Sequence, residues 1–419
     1  MIIPQAKKTI LPGGLRVLTE EISSLRSVAI GIMVGAGSGN EEPREAGISH
    51  FIEHMSFKGT GKRSAFEIAH ALDAVGGKIN AYTSKEVTVF YAVVLDKHID
   101  IAVDVLCDMF LNSIYDPKEM ETEKGVVLEE IKMYEDTPDE LIHDYFAEQI
   151  LHGHPLGKPT IGLAETVSAV KRQDIINYRQ RLYSPQNVII SLAGAIPERV
   201  EEKIAPYFPD FKGEAVVHKQ PIPEIKGSIN LKKKKTEQTH LCLGVKGPSQ
   251  LDEDRYAYSI LDNILGGSMS SRLFQEVREK RGLVYSIFST TSPFRDFGIA
   301  YIYAGTSKEN LPQVVELTLA QLSRIKKEGL TKEEIERAKE FIKGTMVLGL
   351  ESTSSRMSWM ARSEFYYNRV KTIDEIFEKV DLVTNDDILR LADQYFKDEY
   401  LTLAVIGDLE KLPFKELHC

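Results

Sequence analysis

The chain repeats its own pattern halfway along its length, and this repetition restricts the folds that are open to it. Residues 167–175 resemble residues 380–388, and residues 187–194 resemble residues 400–407. Both pairs of segments are 213 residues apart. Because the same offset recurs in two separate places, an internal duplication is the simplest explanation. We therefore expect two similar domains within the 419 residues.

A stretch rich in proline, glycine and charge divides the two halves. We predict an N-terminal domain over residues 1–210, a linker over residues 211–227 and a C-terminal domain over residues 228–419. In each half, short apolar runs typical of strands alternate with patterns typical of helices. This mixture favours the α+β class, as two tandem homologous α/β-sandwich domains with an antiparallel sheet covered by helices in each.

The N-terminal half contains the run His50-Phe-Ile-Glu-His54, in a segment that favours a helix because it lacks proline. On a helix, His50 and His54 lie one turn apart and reach one metal ion, while Glu53 projects from nearly the same face. This is the inverted metallopeptidase motif H-x-x-E-H. Two imidazoles suit zinc, and Glu53 is placed to act as a general base on a zinc-bound water. The alternative is an exposed amphipathic helix with two histidines by chance.

The second half provides an internal control for this motif. At an offset of 210 residues, the positions opposite the two histidines and the glutamate are Ile260, Asn263 and Ile264. A fold that accepts these residues on the equivalent helix does not require a metal-binding set there. The motif is therefore better explained by function than by structure, and the C-terminal domain is expected to lack the zinc motif.

A further zinc ligand is expected from the predicted helix over residues 116–136. One stripe of this helix contains Met120, Glu123, Val127, Glu130 and Tyr134. Glutamate is rarely buried without a partner. Binding to a metal would explain one of the two carboxylates, and a hydrogen bond to a metal-binding histidine would explain the other. Two alternatives remain open: Glu129 is a rival ligand off the stripe, or the stripe is half exposed and its glutamates are solvated.

A second histidine cluster, His152-Gly-His154-Pro, competes with the motif for a metal. Glycine and proline mark a turn here, and no acidic partner is nearby in regular structure. We interpret this segment as a solvated loop.

Charge, hydropathy and cysteine content restrict the partners and the compartment. The formal net charge is −10, whereas proteins that bind nucleic acid usually have an excess of positive charge. No apolar run has the length of a membrane span, and the start resembles neither a signal nor a transit peptide. Cys107, Cys242 and Cys419 are widely spaced and odd in number, which favours reduced thiols. We expect a cytoplasmic protein without nucleic-acid or membrane partners.

Taken together, these motifs resemble the pitrilysin/insulysin family of zinc metallopeptidases, in the shorter form related to the mitochondrial processing peptidase β subunit. The resemblance spans nearly the whole chain and is most specific at residues 50–60, 77–83 and 278–285, and at Glu123 with Glu130. It implies one Zn²⁺ per subunit, with Glu130 as the third ligand and Glu123 supporting the site.

The resemblance also implies how a substrate binds. Asn80 and Ala81, followed by Tyr82, would lie on an edge strand beside the zinc ion. A peptide would add to this edge as a further strand through backbone hydrogen bonds. Such binding suits extended or unfolded peptides.

In the family, an arginine and a tyrosine from a later domain contact the substrate near the scissile bond. They correspond to Arg278 and Tyr285. Arg281 is an alternative candidate for the arginine. Without the resemblance, we would interpret Arg278 as a solvated charge on a helix and Tyr285 as a core residue of a strand. Since long family members join two such chains, the resemblance implies a homodimer in which this pair completes the partner subunit's zinc site.

The sequence therefore predicts a zinc endopeptidase. Two alternatives of other classes remain: a non-catalytic assembly subunit with the same fold, like the core proteins of the respiratory complex, and a zinc-dependent peptide-binding chaperone.

Overall fold

A computed structural model describes residues 6–214 and 221–419. The strands in this part of the chain are β1 (Lys7–Ile10), β2 (Arg16–Glu21), β3 (Ser27–Val34), β4 (Lys78–Thr83), β5 (Thr88–Leu95), β6 (Val188–Gly194), β7 (Ser228–Lys233), β8 (Thr239–Gly247), β9 (Val284–Pro293), β10 (Gly298–Thr306) and β11 (Thr402–Gly407). The helices are α1 (Ile48–Ser56), α2 (Ala65–Asp73), α3 (Ile99–Asn112), α4 (Pro117–Glu135), α5 (Pro138–Ile150), α6 (Ala164–Ala169), α7 (Arg172–Leu182), α8 (Val200–Ile204), α9 (Arg255–Leu265), α10 (Leu311–Glu328), α11 (Lys332–Gly349), α12 (Thr353–Tyr367), α13 (Ile373–Asp381) and α14 (Asn385–Tyr395).

The described strands form two sheets with matching strand orders. The first sheet has the order β1-β2-β6-β3-β5-β4 and the second the order β7-β11-β8-β10-β9. The second order repeats the last five strands of the first, as expected from a duplication. The predicted α+β class with two sheets covered by helices is confirmed. Each sheet also contains one parallel pair, β2 with β6 and β7 with β11, so neither is wholly antiparallel. In each sheet, three other strands and several helices lie between the two paired strands in the chain, which gives a connection long enough for parallel pairing.

The chain forms two compact units that are not continuous in sequence. The first contains residues 6–132, 158–214 and 348–372, and the second contains residues 133–157, 221–347 and 373–419, as far as the structure describes them. Helix α12, from the second half, packs on β3 and β6 of the first sheet. Helix α5, from the first half, packs on β8 and β11 of the second sheet. The predicted boundary at residues 211–227 therefore separates the strands of the two sheets but not these two helices.

A glycine at equivalent positions of the two sheets makes room for each exchanged helix. A Cβ atom on Gly31 of β3 would lie 2.4 Å from Sδ of Met357 in α12. A Cβ atom on Gly244 of β8 would lie 2.4 Å from Cζ of Phe146 in α5. These glycines are 213 residues apart, the offset of the internal repeat. The repeat therefore includes the close helix-to-sheet contact in each unit.

Buried carboxylates fix α12 to the first sheet. Glu20 of β2 is paired with Arg356 at 2.6 Å, and Glu364 is paired with Lys8 of β1 at 2.6 Å. The side chains of Glu20 and Glu364 are 2% and 0% exposed, so each charge depends on its partner.

The predicted linker has no regular secondary structure at residues 211–214 and 221–227, and residues 215–220 of it lie outside the described residues.

Candidate metal and active site

Helix α1, which carries the motif, is capped by a buried glutamate. Glu41 accepts hydrogen bonds from the backbone N–H groups of Gly47, at 2.8 Å, and Ser49, at 2.9 Å. These donors are free at a helix N-terminus and favour a negative charge. Burial is the larger influence and raises the pKa of Glu41 to about 7. Gly47 has a φ of 91°, which a residue with a side chain rarely adopts. No motif in the sequence had indicated a role for Glu41.

The structure brings His50, His54 and Glu130 together. One ligand atom from each lies within 4.8 Å of the others, and no other such group of histidine, cysteine and acidic residues occurs in the described chain. Glu130 Oε2 lies 3.9 Å from Nε2 of His50 and 3.6 Å from Nε2 of His54. Ligand atoms about 2 Å from one zinc ion in tetrahedral geometry are roughly 3.3 Å apart, so a small adjustment completes the set.

The pKa values of the two candidate histidine ligands are shifted in opposite directions. Burial, with a smaller contribution from neighbouring His54, lowers the pKa of His50 to about 4, so its imidazole is neutral at pH 7. Burial also acts against the imidazolium of His54, but the carboxylates of Glu123, Glu130 and Glu53 outweigh it and raise the pKa of His54. Two imidazoles and a carboxylate that leave a further position open are the donor set of a catalytic zinc site.

Glu123 lies behind His54 and controls its orientation. Its Oε1 accepts a hydrogen bond from Nδ1 of His54 at 2.8 Å, which leaves Nε2 of the ring as the acceptor facing Glu130. Its Oε2 is 2.5 Å from Nζ of Lys58, just beyond the end of α1. Burial opposes the charge of Glu123, but His54 and Lys58 outweigh burial and lower its pKa. Glu123 is only 4% exposed, so it is not the solvated residue of the alternative interpretation.

Glu53 lies next to the three candidate ligands without belonging to the group. Its Oε2 accepts a hydrogen bond of 2.6 Å from Oγ1 of Thr83, the last residue of β4. Burial raises the pKa of Glu53, while the Thr83 hydrogen bond and the charge of His54 lower it in part. A carboxylate with a raised pKa is a stronger base and therefore a better proton acceptor near neutral pH.

Strand β4 lies at the edge of the first sheet and has β5 as its partner on one side. Asn80, Ala81 and Tyr82 are in its centre. The Asn80 side chain accepts the N–H of Ala81 at 2.8 Å. A groove of about 800 Å³ runs beside β4, between α2 and α12, and Asn80 and Tyr82 line it together with Phe57 and Ile68. The predicted edge position of these residues agrees with the structure.

Arg278 and Tyr285 belong to the second unit. Arg278 is in a π-helical turn, Phe274–Glu279, and its guanidinium lies over the Phe274 ring at 4.6 Å. Tyr285, on edge strand β9, is 79% exposed, so the interpretation as a core residue is wrong. The rival Arg281 donates to the backbone oxygen of Glu276 at 2.8 Å and forms an ion pair with its carboxylate. Besides the Phe274 ring, Arg278 has a 3.4 Å contact with Glu279, so within the described chain its guanidinium is less firmly paired than that of Arg281.

The alternative metal ligands suggested by the sequence are Glu129 and the histidines of residues 152–154, and none of them belongs to the candidate site. The Glu129 side chain is 73% exposed and forms an ion pair with Lys132. His152 is exposed, as expected, but the prediction of a solvated loop is wrong for His154, which is 6% exposed. Its Nδ1 accepts the N–H of Leu156, and its Nε2 donates to the backbone oxygen of Pro221 at 2.9 Å. His154 therefore has a structural role within the second unit.

The equivalent helix of the second half, α9, has no metal-binding set. Ile260 and Ile264 are fully buried in the core of the second unit, and Asn263 is 7% exposed. At equivalent positions, α9 therefore has side chains that are buried in the second unit, whereas α1 has the two histidines of the candidate metal site.

Comparisons with known proteins show which family the chain resembles along its length. A family model described as Insulinase (Peptidase family M16) matches residues 16–163. A model described as Peptidase M16 inactive domain matches residues 169–342, which do not include the motif. No helix among the described residues is both long enough and apolar enough to cross a membrane.

Similar chains extend over nearly the whole sequence. An "uncharacterized zinc protease YmxG" of Bacillus subtilis is 42% identical over 97% of this chain and 99% of its own length. An "uncharacterized zinc protease" of Streptomyces coelicolor is 38% identical over 99% of this chain and 92% of its own. Among solved structures, a protease from Helicobacter pylori shares the fold with a TM-score of 0.88 at 23% identity, over 97% of this chain and 100% of its own. A chain of complex III2 from Candida albicans does so with a TM-score of 0.84 at 19% identity, over 96% of each chain. The chain therefore belongs to the insulinase or pitrilysin family of zinc metallopeptidases, peptidase family M16.

Proposed function

We propose that the protein is a zinc-dependent endopeptidase that hydrolyses extended or unfolded peptides. The observation that carries the proposal is the convergence of His50, His54 and Glu130, with Glu53 beside them. His50, His54 and Glu130 would hold one Zn²⁺ per subunit. When bound, the zinc ion would polarise the scissile carbonyl and make a water molecule more acidic.

The residues of the chain would perform the remaining steps. The free edge of β4, at Asn80 and Ala81, would bind the peptide backbone as an added strand, with Tyr82 in the adjoining groove. The N–H of Ala81 would then exchange the Asn80 side chain for a substrate carbonyl. Glu53 would take a proton from the attacking water and later deliver it to the leaving amine.

Arg278 and Tyr285 would stabilise the negative charge that develops on the substrate. We further propose that the protein is a homodimer in which this pair serves the zinc site of the partner subunit. The exposure of Tyr285 and the weak pairing of Arg278 support a contact with a molecule outside their own unit. All three cysteines are free thiols, which fits a cytoplasmic location.

Mixing two inactive variants tests the shared site. One subunit would carry E53Q and the other both R278A and Y285F. In a mixed dimer, one of the two sites would retain all its parts, and activity would return to as much as half of the wild-type value per mixed dimer. A mixture that remains as inactive as its parents would contradict the shared site.

The structural similarity to a chain of complex III2 supports one alternative, a non-catalytic assembly subunit. The fold is compatible with both functions, so the metal-binding set is the feature that separates them. Cleavage of an internally quenched peptide, abolished by a chelator and restored by zinc, would support the peptidase. Absence of cleavage would favour the assembly subunit or, if unfolded peptides bind in a zinc-dependent manner, a chaperone.

A matched pair of variants connects this activity to the site. Glu130→Gln should remove zinc and cleavage together. Glu129→Gln changes the neighbouring, exposed residue on the same helix and should preserve both. Loss of zinc from E129Q instead of E130Q would show that the third ligand has been misassigned.

A further inference from the structure

We propose that Thr83 is a positioning residue that holds Glu53 in its reactive orientation, an inference that rests on the proposed function. Thr83 contacts the candidate base and is not among the three candidate metal ligands. Its hydroxyl donates a hydrogen bond of 2.6 Å to Oε2 of Glu53. Oε2 is therefore engaged, and Oε1 is the oxygen available to accept a proton from water.

The backbone of Thr83 is fixed by the sheet. Thr83 is the last residue of β4 and pairs with Thr88 of β5. The side chain of Thr88 is buried and donates to the backbone oxygen of Ala36 at 2.9 Å, which fixes this end of the hairpin. Threonine is branched at Cβ and has restricted rotamers, so a fixed backbone also fixes the hydroxyl.

The direction of the side chain agrees with this role. Side chains alternate along a strand, so Thr83 points to the same face of the sheet as Ala81. Ala81 packs in the core that contains residues of α1, the helix that carries Glu53. Tyr82, on the opposite face, packs with residues of α12. Thr83 is therefore the polar side chain at the end of β4 that faces the motif helix.

The arrangement connects substrate binding with base orientation. The same strand offers a free edge to the peptide and a hydroxyl to Glu53. A peptide that extends β4 would stabilise the strand on which Thr83 is held. The base would then be most firmly oriented when a substrate is in place.

Thr83→Val is the most direct test because valine keeps the shape and strand preference of threonine but lacks the hydroxyl. Zinc content, kcat and KM would be measured for the full-length protein with a quenched peptide. We expect kcat to fall about 10- to 100-fold, since small misplacements of reacting groups have effects of this size. KM should remain within about twofold and zinc content unchanged, because neither backbone binding nor the metal ligands are altered.

Two further variants isolate the hydroxyl. Thr83→Ser restores the donor without the methyl group and should recover most of the lost kcat. Thr9→Val makes the same replacement in β1, at the opposite edge of the sheet, and should behave as the wild type. Crystal structures should show one Glu53 conformer in the wild type and T83S, and a displaced or divided one in T83V.

The contrary outcomes are distinct from failure of the proposed function. Wild-type kcat in T83V, an equally slow T83S, or loss of zinc from T83V would each overturn the positioning role while leaving the peptidase intact. A wild-type protein without chelator-sensitive cleavage would overturn the proposed function and this inference with it.

Discussion

Glu123 accepts a hydrogen bond of 2.8 Å from Nδ1 of His54, and this contact joins helix α4 to helix α1 behind the candidate metal site. The hydrogen bond sets the tautomer in which Nε2 of His54 faces Glu130. A partner of this kind makes the imidazole a stronger ligand. Replacing Glu123 should therefore weaken metal binding without removing a ligand.

We expect Glu123→Gln to lower zinc affinity about 10- to 100-fold. The glutamine amide oxygen still accepts the hydrogen bond but lacks the charge. Competition with a chromophoric chelator would measure the affinity. Glu121→Gln is a suitable control, because Glu121 is on the same helix with its side chain 73% exposed. Equal affinities for E123Q and wild type would show that the contact does not tune the metal.

Zinc should stabilise the protein more strongly as the pH rises. Burial acts against the charge on His54, but its neighbouring carboxylates dominate and raise its pKa above the ordinary 6.5. In the metal-free protein, the imidazolium adds stability that is fully present below 6.5 and is lost as the pH rises through the raised pKa. Zinc must displace this proton, so the gain in Tm on adding zinc should increase as the pH rises from about 6 through the raised pKa of His54.

His50 should not contribute to this dependence, because its pKa is lowered to about 4 and it is neutral throughout the range. The E123Q variant serves as the control, since the carboxylate that raises the pKa of His54 is removed. Its zinc-induced gain in Tm should increase at lower pH than in the wild type. A gain that is independent of pH would contradict the coupling.

Gly244→Ala should destabilise the protein more than Gly31→Ala. A methyl group on Gly244 would meet the rigid ring of Phe146 at 2.4 Å and the backbone oxygen of Ala300 at 2.6 Å. On Gly31 it would meet the flexible end of Met357, which can rotate away. We expect a cost of about 1–3 kcal/mol for G244A and less for G31A, measured by thermal and urea unfolding.

Gly125→Ala provides the control for this series. Gly125 is within α4, and a methyl group there would meet nothing within 4 Å. Since alanine favours a helix, this variant should gain about 0.5–1 kcal/mol. A G244A protein as stable as the wild type would show that α5 does not require the close approach.

The first half should not fold alone. A fragment of residues 1–227 lacks α12, whose Met357, Met360 and Ala361 cover Ala29 and Met33 in one apolar cluster. We expect this fragment to aggregate or to lack a cooperative unfolding transition, and to become soluble when co-expressed with residues 228–419. A fragment with cooperative unfolding by itself would contradict the importance of the exchanged helix.

The sequence predicted those features that depend on local periodicity. The repeat predicted two similar sheets, and the spacing of the motif placed His50 and His54 on one face of α1. The stripe on α4 identified Glu123 and Glu130, although its C-terminal end differs: Ile131 is buried and Tyr134 is 37% exposed. A stripe read at heptad spacing drifts around a straight helix, which explains the difference.

Features that depend on contacts between distant segments were not predicted. The exchange of α5 and α12 depends on which sheet each helix covers, and the pattern of one helix does not specify its partner. The contacts of Lys58 with Glu123 and of Thr83 with Glu53 cross between separate elements. His154 was misinterpreted because its partners are backbone groups, which have no signal in the sequence.

The most direct test of the account is to measure zinc content and turnover together in Glu53→Gln. Glu53 is not among the three candidate ligands, so the variant should retain one zinc ion per subunit, as measured by atomic absorption. The loss of the proton acceptor should lower kcat about 100- to 10,000-fold. A variant that retains zinc and cleaves the quenched peptide at the wild-type rate would contradict the assignment of Glu53 as the base.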